Sequence, residues 1–318
     1  MAATKTTQRK KQSADDDEPS GLEYVFGDIT VTCTNVDRIM FADGGIKKSE
    51  VIQYYFSVAD FMLPEIEQRP ISVERYTKGV EASGFFQKHY QKHYPAWLDK
   101  EELGAKTRVV YPIIDSTAGL VYLANQGSIA FHIWTSRREQ PEYPDLLVFD
   151  LDPPEGRFDL VRDTALILRE LFEELELPSF VKTTGSKGLH VVVPLDGRSA
   201  FGEVSQFCNK VAKLLCARHP DKVTQEFYKK DRKGRLFLDT LRNALGATLI
   251  APWSLRGRPG APISMPIGWD EVEDPALAAN GFKLRDVKER IDARGNPWEK
   301  LRSSVASIDD ADAALDNL

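Results

Sequence analysis

The segment LLVFDLDPP at 146–154 constrains the fold of this chain more than any other part of it. Its first residues form a nearly continuous apolar run, which is typical of a strand that is buried on both faces. A helical period of apolar residues follows at 159–175, and a strand-like run at 179–184 follows that helix. With 42% hydrophobic residues, the chain can also fill a sizeable core. The sequence therefore predicts an α+β (mixed α/β) fold and excludes a wholly disordered protein.

The remaining elements are predicted from the spacing of apolar residues, which differs between helices and strands. Ser49 is expected to cap a helix whose apolar residues recur at helical spacing, and Pro64 is expected to end it. A further helix is predicted at 201–217. Strand-like runs occupy 29–34, 108–114, 119–124, 129–134, 190–195 and 235–239.

Charge is unevenly distributed along the chain. The net charge is −6, which by itself argues against a uniformly basic nucleic-acid-binding protein. Between 182 and 258, however, 15 Lys and Arg stand against 6 Asp and Glu. Clustered positive charge attracts polyanions because neutralising phosphates releases condensed counterions. A basic region is therefore present within an acidic total, although an ordinary solvated surface would have the same composition.

Three carboxylates end apolar strands and form the strongest chemical signal. Asp150 and Asp152 lie two residues apart on one predicted strand, so both point to the same face. Asp239 ends the run RLFLD in the same manner. Neighbouring carboxylates repel each other, and divalent cations such as Mg²⁺ or Mn²⁺ remove that repulsion and suit hard oxygen ligands. Alternatively, Asp150 and Asp152 are turn residues before two prolines.

Two further segments carry groups that suit phosphate. In KTTGSKGLH, glycines allow backbone amides to approach an anion, although a turn of this kind is often structural and the spacing is not that of a Walker loop. Downstream, arginines follow Asp239 in DTLRNALGATLIAPWSLRGRPGAP. The candidate groups are Thr184, Ser186, Lys187, His190, Arg242 and Arg256.

Five ordered motifs together resemble the polymerase domain of bacterial ligase D, in the archaeo-eukaryotic primase superfamily. They are HIW at 132–134, FDLDPP at 149–154, GSKGLH at 185–190, FLDTLRN at 237–243 and APWSLRGRPGAPIS at 251–264. The resemblance covers about 28–291 and implies two central β-sheets flanked by helices. It implies a primase-polymerase catalytic domain at 22–295, a disordered tail at 1–21 and a C-terminal helix or tail at 296–318.

The resemblance also implies roles for the candidate residues. Asp150, Asp152 and Asp239 correspond to the catalytic metal-binding triad of a template-directed DNA/RNA polymerase, with His132 close to it. The six phosphate candidates correspond to the pocket for the incoming nucleoside triphosphate. Ribonucleotide incorporation and a two-metal site for Mn²⁺ or Mg²⁺ are expected on the same grounds.

Contacts with DNA are carried over in the same manner. Asn35, Arg38 and Lys48 correspond to a pocket for the 5′-phosphate at the far side of a gap, and the start of the predicted helix would add its dipole and amides. Without the resemblance, this segment would be interpreted as a charged helix start. In the segment GFFQKHYQKHYPAWL, the residues that correspond to template contacts are Phe85, Phe86 and Lys88.

The expected setting is bacterial DNA repair. The sequence contains no KxDG ligase nucleophile motif, so we expect a stand-alone polymerase that fills short gaps in non-homologous end joining or in base-excision repair. A separate DNA ligase and an end-binding protein are the expected partners, beside gapped DNA. No apolar leader or membrane-spanning run is present, so a cytoplasmic, nucleoid-associated location without membrane contact is expected.

Two other functions compete with this prediction. FDLDPP resembles the aspartyl-phosphate motif of haloacid-dehalogenase-like phosphatases, with Asp150 as nucleophile, but Pro154 stands where that family has a small threonine or valine. The second competing function is that of a non-catalytic DNA-end binding module, which would leave the three aspartates without a role.

Overall fold

The computed structural model describes residues 7–10, 21–104 and 107–318, and only the backbone of 7–10. The chain contains strands and helices in an α+β arrangement, as predicted. The helices are α1 Lys48–Ser57, α2 Ala59–Ile66, α3 Thr117–Asn125, α4 Phe158–Glu174, α5 Phe201–Arg218, α6 Trp269–Val272, α7 Val287–Arg294 and α8 Asp309–Leu315. The strands are β1 Thr7–Lys10, β2 Leu22–Phe26, β3 Ile29–Cys33, β4 Ile39–Phe41, β5 Ile46–Lys47, β6 Ile71–Arg75, β7 Phe85–Gln87, β8 Lys100–Leu103, β9 Val109–Pro112, β10 Ser128–Trp134, β11 Leu146–Asp152, β12 Phe180–Thr183, β13 Leu189–Pro194, β14 Val223–Thr224, β15 Leu236–Asp239, β16 Thr248–Ile250 and β17 Pro266–Ile267.

Two sheets form the centre of the molecule. The larger has six strands in the order β14-β15-β11-β13-β12-β17. It is antiparallel except for the pair β14 and β15. The smaller has four strands in the order β16-β10-β6-β7. The apolar start of β11 is buried, and α4 and α5 pack against this strand, which explains its nearly continuous apolar sequence.

The segment 117–125 is a helix, and the prediction of a strand at 119–124 was wrong. Ser116 caps α3, since its hydroxyl accepts a hydrogen bond from the amide of Gly119 at 3.3 Å. Most of α3 is buried among α1, α2 and β10, so apolar residues face every direction. A short helix that is buried over most of its surface has little polar face, and periodicity cannot distinguish it from a buried strand.

The predicted helix after residue 48 is two helices, and neither predicted end is correct. Residue 47 occupies the N-cap position in place of Ser49, and the side chain of Glu50 accepts the Lys47 amide at 2.9 Å. The chain bends at Val58, and Pro64 lies inside α2. The missing N–H of Pro64 removes one hydrogen bond from α2, yet the helix continues to Ile66.

Both ends of the chain take part in the fold where they are described. The strand β1, which lies in the predicted tail, pairs with β2. The rest of that predicted tail, apart from Gly21, lies outside the described residues. At the other end, α8 packs against α5 and buries Ala311 and Leu315. Within the described ranges, no helix is long and apolar enough to span a membrane, and all three cysteines are free, with Cys33 and Cys208 buried.

Candidate active site

The three predicted carboxylates reach one pocket because β11 lies beside β15. Asp150 stands directly opposite Asp239, and Asp152 follows on the same face of β11. The pocket has a volume of about 370 Å³ and is lined from both central sheets. Its lining includes His132, Asp150, Asp152, Thr184, Ser186, Lys187, His190, Asp239, Arg242, Thr248, Leu249, Ile250, Arg256 and Arg258.

We distinguish two walls of this pocket. The carboxylate wall is formed by the three aspartates and the turn at 184–188, which belong to the six-stranded sheet. The histidine wall is formed by His132 on β10 and by 248–250 on β16, which belong to the four-stranded sheet. The carboxylate wall therefore carries the three aspartates. On the histidine wall, His132 stands beside Leu249 and Ile250, and Arg242 Nη1 donates to the Thr248 carbonyl at 3.4 Å.

Arginines neutralise the carboxylates. The Nε atom of Arg242 lies 3.3 Å from Asp150 Oδ2 and 3.9 Å from Asp239 Oδ2. Arg232 Nη1 lies 3.1 Å from Asp152 Oδ2, while its guanidinium lies over the ring of Phe237 at 4.1 Å. Sequence reasoning missed Arg232, although it lies in the basic run KKDRKGR.

The donor set suits a hard divalent cation, but its present arrangement does not enclose one. Three carboxylates on neighbouring strands supply the oxygen ligands that Mg²⁺ and Mn²⁺ prefer. Among the described residues, no three metal-ligating side chains are grouped closely enough to hold a metal ion as they stand. Asp150 and Asp152 pair instead with Arg242 and Arg232. Metal binding would therefore require these ion pairs to exchange.

The ionisation of the carboxylates reflects the same competition. Burial opposes the charge on Asp150, but His190 and Arg242 lower its pKa to about 2. At Asp239 burial and the neighbouring charges of Asp150 and Asp152 raise the pKa above its usual value. Repulsion between these carboxylates is therefore only partly neutralised, and a cation bound among them would be stabilised.

A row of polar side chains continues from the carboxylates into the six-stranded sheet. Asp150 stands opposite His190 on β13, and His190 stands opposite Lys182 on β12. The His190 Nε2 atom lies 3.5 Å from Asp150 Oδ1, and burial lowers the pKa of His190 to about 4. Lys182 is fully buried, its Nζ atom donates to Ser264 Oγ at 2.6 Å, and burial lowers its pKa strongly. Sequence reasoning missed Lys182, which lies in an apparently ordinary strand.

The turn in KTTGSKGLH is held tightly against β11. The Thr184 hydroxyl donates to the carbonyl of Gly188 at 3.0 Å and accepts the amides of Ser186 and Gly188. It is therefore occupied in closing the turn, although the residue lines the pocket. A Cβ atom at Gly188 would lie 1.9 Å from the carbonyl oxygen of Leu151, so only glycine fits. Lys187 is exposed at the pocket rim.

Arg256 lines the same pocket as Asp239. Its side chain is largely buried, and burial lowers its pKa. Its Nε atom is buried and has no hydrogen-bond partner among the described residues. A buried guanidinium nitrogen without an acceptor is the arrangement expected of a group that receives an anion.

The two predicted template-binding phenylalanines point to opposite faces of the four-stranded sheet. Phe86 stands opposite Glu74 and packs edge-on against His132, with ring centroids 5.2 Å apart. Phe85 stands opposite Arg75, whose guanidinium lies 5.6 Å from its ring. Both rings remain nearly half exposed. Lys88 Nζ lies 6.0 Å from the Phe86 ring, on the face that also carries His132.

The three residues predicted to bind a 5′-phosphate meet where a loop joins α1. Asn35 and Arg38 are exposed, and the Arg38 side chain donates to the carbonyl of Thr77. Lys48 is only 6% exposed, and its Nζ atom donates to the Thr34 carbonyl at 2.7 Å and to Asn125 Oδ1 at 2.8 Å. Burial lowers the pKa of Lys48 to about 8.

The start of α1 does not offer the free amides that the sequence suggested. The amide of Lys48 donates to the Arg38 carbonyl at 2.8 Å, and that of Ser49 donates to the Val36 carbonyl at 2.9 Å. Glu50 adds a negative charge to the first turn. Any phosphate bound here would therefore depend on side chains of the loop more than on the helix terminus.

Comparisons with known proteins agree with this geometry. The model of the LigD primase-polymerase domain matches residues 47–298, well over half of the chain. The chain belongs to the LigD primase-polymerase family. The motifs predicted to indicate this family therefore did so, and the haloacid-dehalogenase-like alternative is not supported. The non-catalytic alternative concerns activity within the family and remains open to experiment.

Several LigD proteins are similar to this chain over most of its length. A multifunctional non-homologous end joining protein LigD of Mycolicibacterium smegmatis is 36% identical over 88% of this chain and 37% of the relative. The Pseudomonas aeruginosa LigD is 32% identical over 79% of this chain and 30% of the relative. The chain thus spans between 30% and 37% of the length of these two relatives.

A solved structure supports the same assignment. The polymerase domain of Mycobacterium tuberculosis ligase D, determined in complex with DNA, matches with a TM-score of 0.82 and 34% identity. The match covers 87% of this chain and 99% of that one. The two-sheet core described above is therefore the fold of a LigD polymerase domain.

Proposed function

We propose that this protein is a DNA-dependent DNA/RNA polymerase that fills short gaps and favours ribonucleotides. The observation that carries the proposal is the convergence of Asp150, Asp152 and Asp239 in one pocket with Arg242 and Arg256. The three carboxylates would hold Mg²⁺ or Mn²⁺, which would activate the primer hydroxyl and neutralise the phosphates. Membership of the primase-polymerase family gives independent support.

The chain's own residues would hold the substrate in this pocket. Arg242, Arg256 and Lys187 line it and supply positive charge for the triphosphate. Ser186 contributes a hydroxyl in the glycine turn, while Thr184 and Gly188 hold that turn against β11. His190 lies against Asp150 and orients this carboxylate.

Primer extension on a gapped duplex tests this function. In the presence of Mn²⁺, we expect the wild type to add nucleotides complementary to the template. We expect Asp150→Ala to lower incorporation at least about a hundredfold, because charge stabilisation of several kcal/mol is lost. Asp163→Ala removes an exposed aspartate of α4, which pairs with Lys222, and serves as the matched control. Equal incorporation by Asp150→Ala and the wild type would disprove the proposed chemistry.

We further propose that the protein acts at DNA breaks or gaps by recognising a downstream 5′-phosphate. The relatives named above are non-homologous end joining proteins, and this supports a role in end joining beside a ligase and an end-binding protein. Gap filling during base-excision repair is the second setting. Tight binding to a phosphorylated gap without any incorporation would instead favour the non-catalytic end-binding function.

Arg38 is the residue whose replacement tests phosphate recognition most directly. Its guanidinium is exposed and donates to the Thr77 carbonyl, whereas Lys48 is buried, so Arg38→Ala removes charge without opening a cavity in the interior. We expect Arg38→Ala to reduce the preference for a 5′-phosphorylated gap about tenfold, the scale of one hydrogen bond to a charged group. Extension of an open primer should change little.

Controls separate this effect from a general loss of charge. Lys47→Ala removes an exposed lysine that is adjacent to Lys48 and pairs with Asp37. Lys48→Ala and Arg38→Ala combined should abolish the preference for phosphate. Incorporation rates on phosphorylated and unphosphorylated gaps give the measurement, and an equal loss on both substrates would contradict the assignment.

A further inference from the structure

A tyrosine in the middle of α1 is hydrogen-bonded to the segment that carries Arg256. The hydroxyl of Tyr55 accepts the amide hydrogen of Leu255 at 2.9 Å. The same hydroxyl donates to the carbonyl of Ile129 on β10. Tyr55 is fully buried, and burial raises the pKa of its phenol, so the hydroxyl keeps the proton that it donates. Tyr55 therefore ties the residue before Arg256 to the strand that carries His132.

The backbone of this segment is strained, and the neighbouring tyrosine of α1 holds it where the strain occurs. Trp253 has a φ of 63°, in the left-handed region that residues other than glycine rarely adopt. The hydroxyl of Tyr54 donates to the Trp253 carbonyl at 2.6 Å, and the Trp253 amide donates to the Ser264 carbonyl at 2.7 Å. Such a conformation persists only where surrounding contacts hold it. The path of the chain toward Arg256 therefore depends on hydrogen bonds from distant residues.

The side chain of Arg256 has little room to move independently of its backbone. A Cβ atom at Gly185 would lie 2.8 Å from Arg256 Cγ, so the stem of the arginine packs directly on the glycine turn of the pocket. The next residue is packed as closely, since a Cβ atom at Gly257 would lie 2.5 Å from ring atoms of Tyr76. The backbone of the segment therefore sets where the guanidinium lies.

The guanidinium of Arg256 is available to a ligand. Its Nε atom is buried and has no hydrogen-bond partner among the described residues. The carboxylate that acts most strongly on it is that of Glu74. That carboxylate is bonded to other side chains, to His132 Nε2 at 3.1 Å and to the Tyr76 hydroxyl at 3.2 Å. Since Arg256 lines the pocket, an anion with several oxygens, such as a phosphate, would supply the missing acceptor.

We propose that Tyr55 is a positioning residue for Arg256. By holding the Leu255 amide, its hydroxyl fixes the segment from which the guanidinium reaches the phosphates of the incoming nucleotide. Without this hydroxyl, the Leu255 amide would lack an acceptor in the interior, and the cost of an unpaired buried amide would drive the segment to move. The strained backbone at Trp253 would then relax, and Arg256 would shift with it. This inference rests on the polymerase function proposed above, in which Arg256 binds the triphosphate.

The direct test is the affinity of a Tyr55→Phe variant for ATP. Phenylalanine keeps the ring, which packs edge-on against Phe131 with ring centroids 4.7 Å apart, and removes only the hydroxyl. ATP is titrated with Mg²⁺ into the complex of the protein with a gapped duplex that presents a template thymine. The primer lacks its 3′-hydroxyl, so no reaction follows binding. We expect the Kd for ATP to rise about tenfold, the scale of one hydrogen bond to a charged group.

A double-mutant cycle shows whether this effect passes through Arg256. Arg256→Met keeps an unbranched stem against Gly185 and removes the guanidinium. In that background, Tyr55→Phe should change the Kd for ATP less than about twofold, because the contact that Tyr55 positions is already lost. A merely structural role for Tyr55 would raise the Kd by the same factor with and without the guanidinium, and that result would overturn the inference.

Steady-state incorporation provides a second measurement. A contact that is equally strong in the ground state and the transition state contributes to KM and not to kcat. On an extendable gapped duplex with Mn²⁺, Tyr55→Phe should therefore raise the KM for ATP about tenfold and change kcat less than about twofold. A loss of folded protein would instead lower the apparent kcat at constant KM, and this pattern would contradict the role of Tyr55.

Tyr24→Phe is the matched control. Tyr24 is also fully buried, and its hydroxyl reaches the same helix, where it donates to Gln53 Oε1 at 3.1 Å. This bond lies outside the segment that carries Arg256, so Tyr24→Phe should leave the Kd and the KM for ATP unchanged. An equal effect of Tyr24→Phe and Tyr55→Phe would show that any lost hydroxyl on α1 has the same result, against the inference.

The outcomes distinguish this inference from the function on which it rests. If the wild type incorporates no templated nucleotide, the polymerase function fails, and the titration still decides the role of Tyr55 because it requires no reaction. If the wild type incorporates nucleotides and Tyr55→Phe binds ATP as tightly, the role of Tyr55 is overturned and the polymerase function stands. Absence of any ATP binding by the wild type would overturn both. Thermal unfolding verifies that each variant is folded at the assay temperature.

Discussion

The two walls of the pocket position their polar groups in different ways. On the carboxylate wall, the backbone determines where the polar groups lie. Asp150 and Asp239 face each other through strand register, and Gly188 packs directly on the Leu151 carbonyl. On the histidine wall, a hydrogen bond between side chains determines the orientation, because the His132 ring is bonded to Glu74. Groups that are fixed by backbone register remain adjacent even when they repel each other. Groups that are fixed by side-chain hydrogen bonds depend on the protonation state of their partners.

This difference has a chemical consequence. On the carboxylate wall, burial and the nearby charge of Asp150 raise the pKa of Asp239, and the surrounding arginines provide positive charge. Such an arrangement suits the binding of cations and phosphates, whose charge completes the neutralisation. On the histidine wall, the orientation of the His132 ring depends on its hydrogen bond to Glu74, beside the buried side chains of Leu249 and Ile250.

The largest expected effect comes from breaking the backbone support of the carboxylate wall. Gly188→Ala would place a Cβ atom 1.9 Å from the Leu151 carbonyl oxygen. The clashing atom belongs to the backbone, so no side chain can rotate to relieve the clash. We expect the free energy of unfolding to fall by about 1–3 kcal/mol, the usual cost of overpacking. Incorporation should fall at least about tenfold, because the turn moves away from Asp150. Thermal unfolding and primer extension measure the two effects.

Gly202 provides the matched control for this substitution. It lies in α5, and a Cβ atom there would meet nothing within 4 Å. Gly202→Ala should leave incorporation unchanged and raise stability slightly, because alanine favours helix by about 1 kcal/mol over glycine. If both substitutions had the same effect, the close approach at Gly188 would not be what holds the turn.

A smaller effect compares the histidines of the two walls. Burial and the neighbouring Lys182 hold the pKa of His190 at about 4, below the usual 6.5. Between pH 6.5 and 4 the unfolded chain therefore binds a proton that folded His190 does not, and stability falls as the pH falls, by at most about 1.4 kcal/mol per pH unit for this group. His190→Gln should flatten the dependence of the melting temperature on pH in this window.

His132→Gln should flatten the same curve less. At His132 the hydrogen bond that the ring makes to the Glu74 carboxylate opposes the effect of burial on its pKa, and no buried lysine stands beside it. Melting temperatures from pH 4 to 7 without added metal give the comparison. A greater flattening for His132→Gln than for His190→Gln would show that the two rings are stabilised differently from what the structure indicates.

The local errors of sequence reasoning have identifiable causes. The strand predicted at 119–124 is the helix α3, because a helix that is buried on all sides loses the period that reveals it. Ser49 has the side chain of a good N-cap, but the loop carbonyls of Val36 and Arg38 already satisfy the first amides of α1. In both cases, contacts with distant residues outweighed a local preference.

By itself, the sequence determined the buried strand β11, the aspartates that it carries and the motifs that place the chain in its family. These features are local, since alternation along one strand decides which side chains share a face. Only the tertiary structure decided that Arg232 pairs with Asp152, that Lys48 is buried, and that Glu74 and Tyr76 orient His132. Those relations depend on strand register and on loops that meet across the sheets, which no local pattern encodes. The physical reason is that the burial and hydrogen bonding of a side chain depend on its environment, which exists only after the chain has folded.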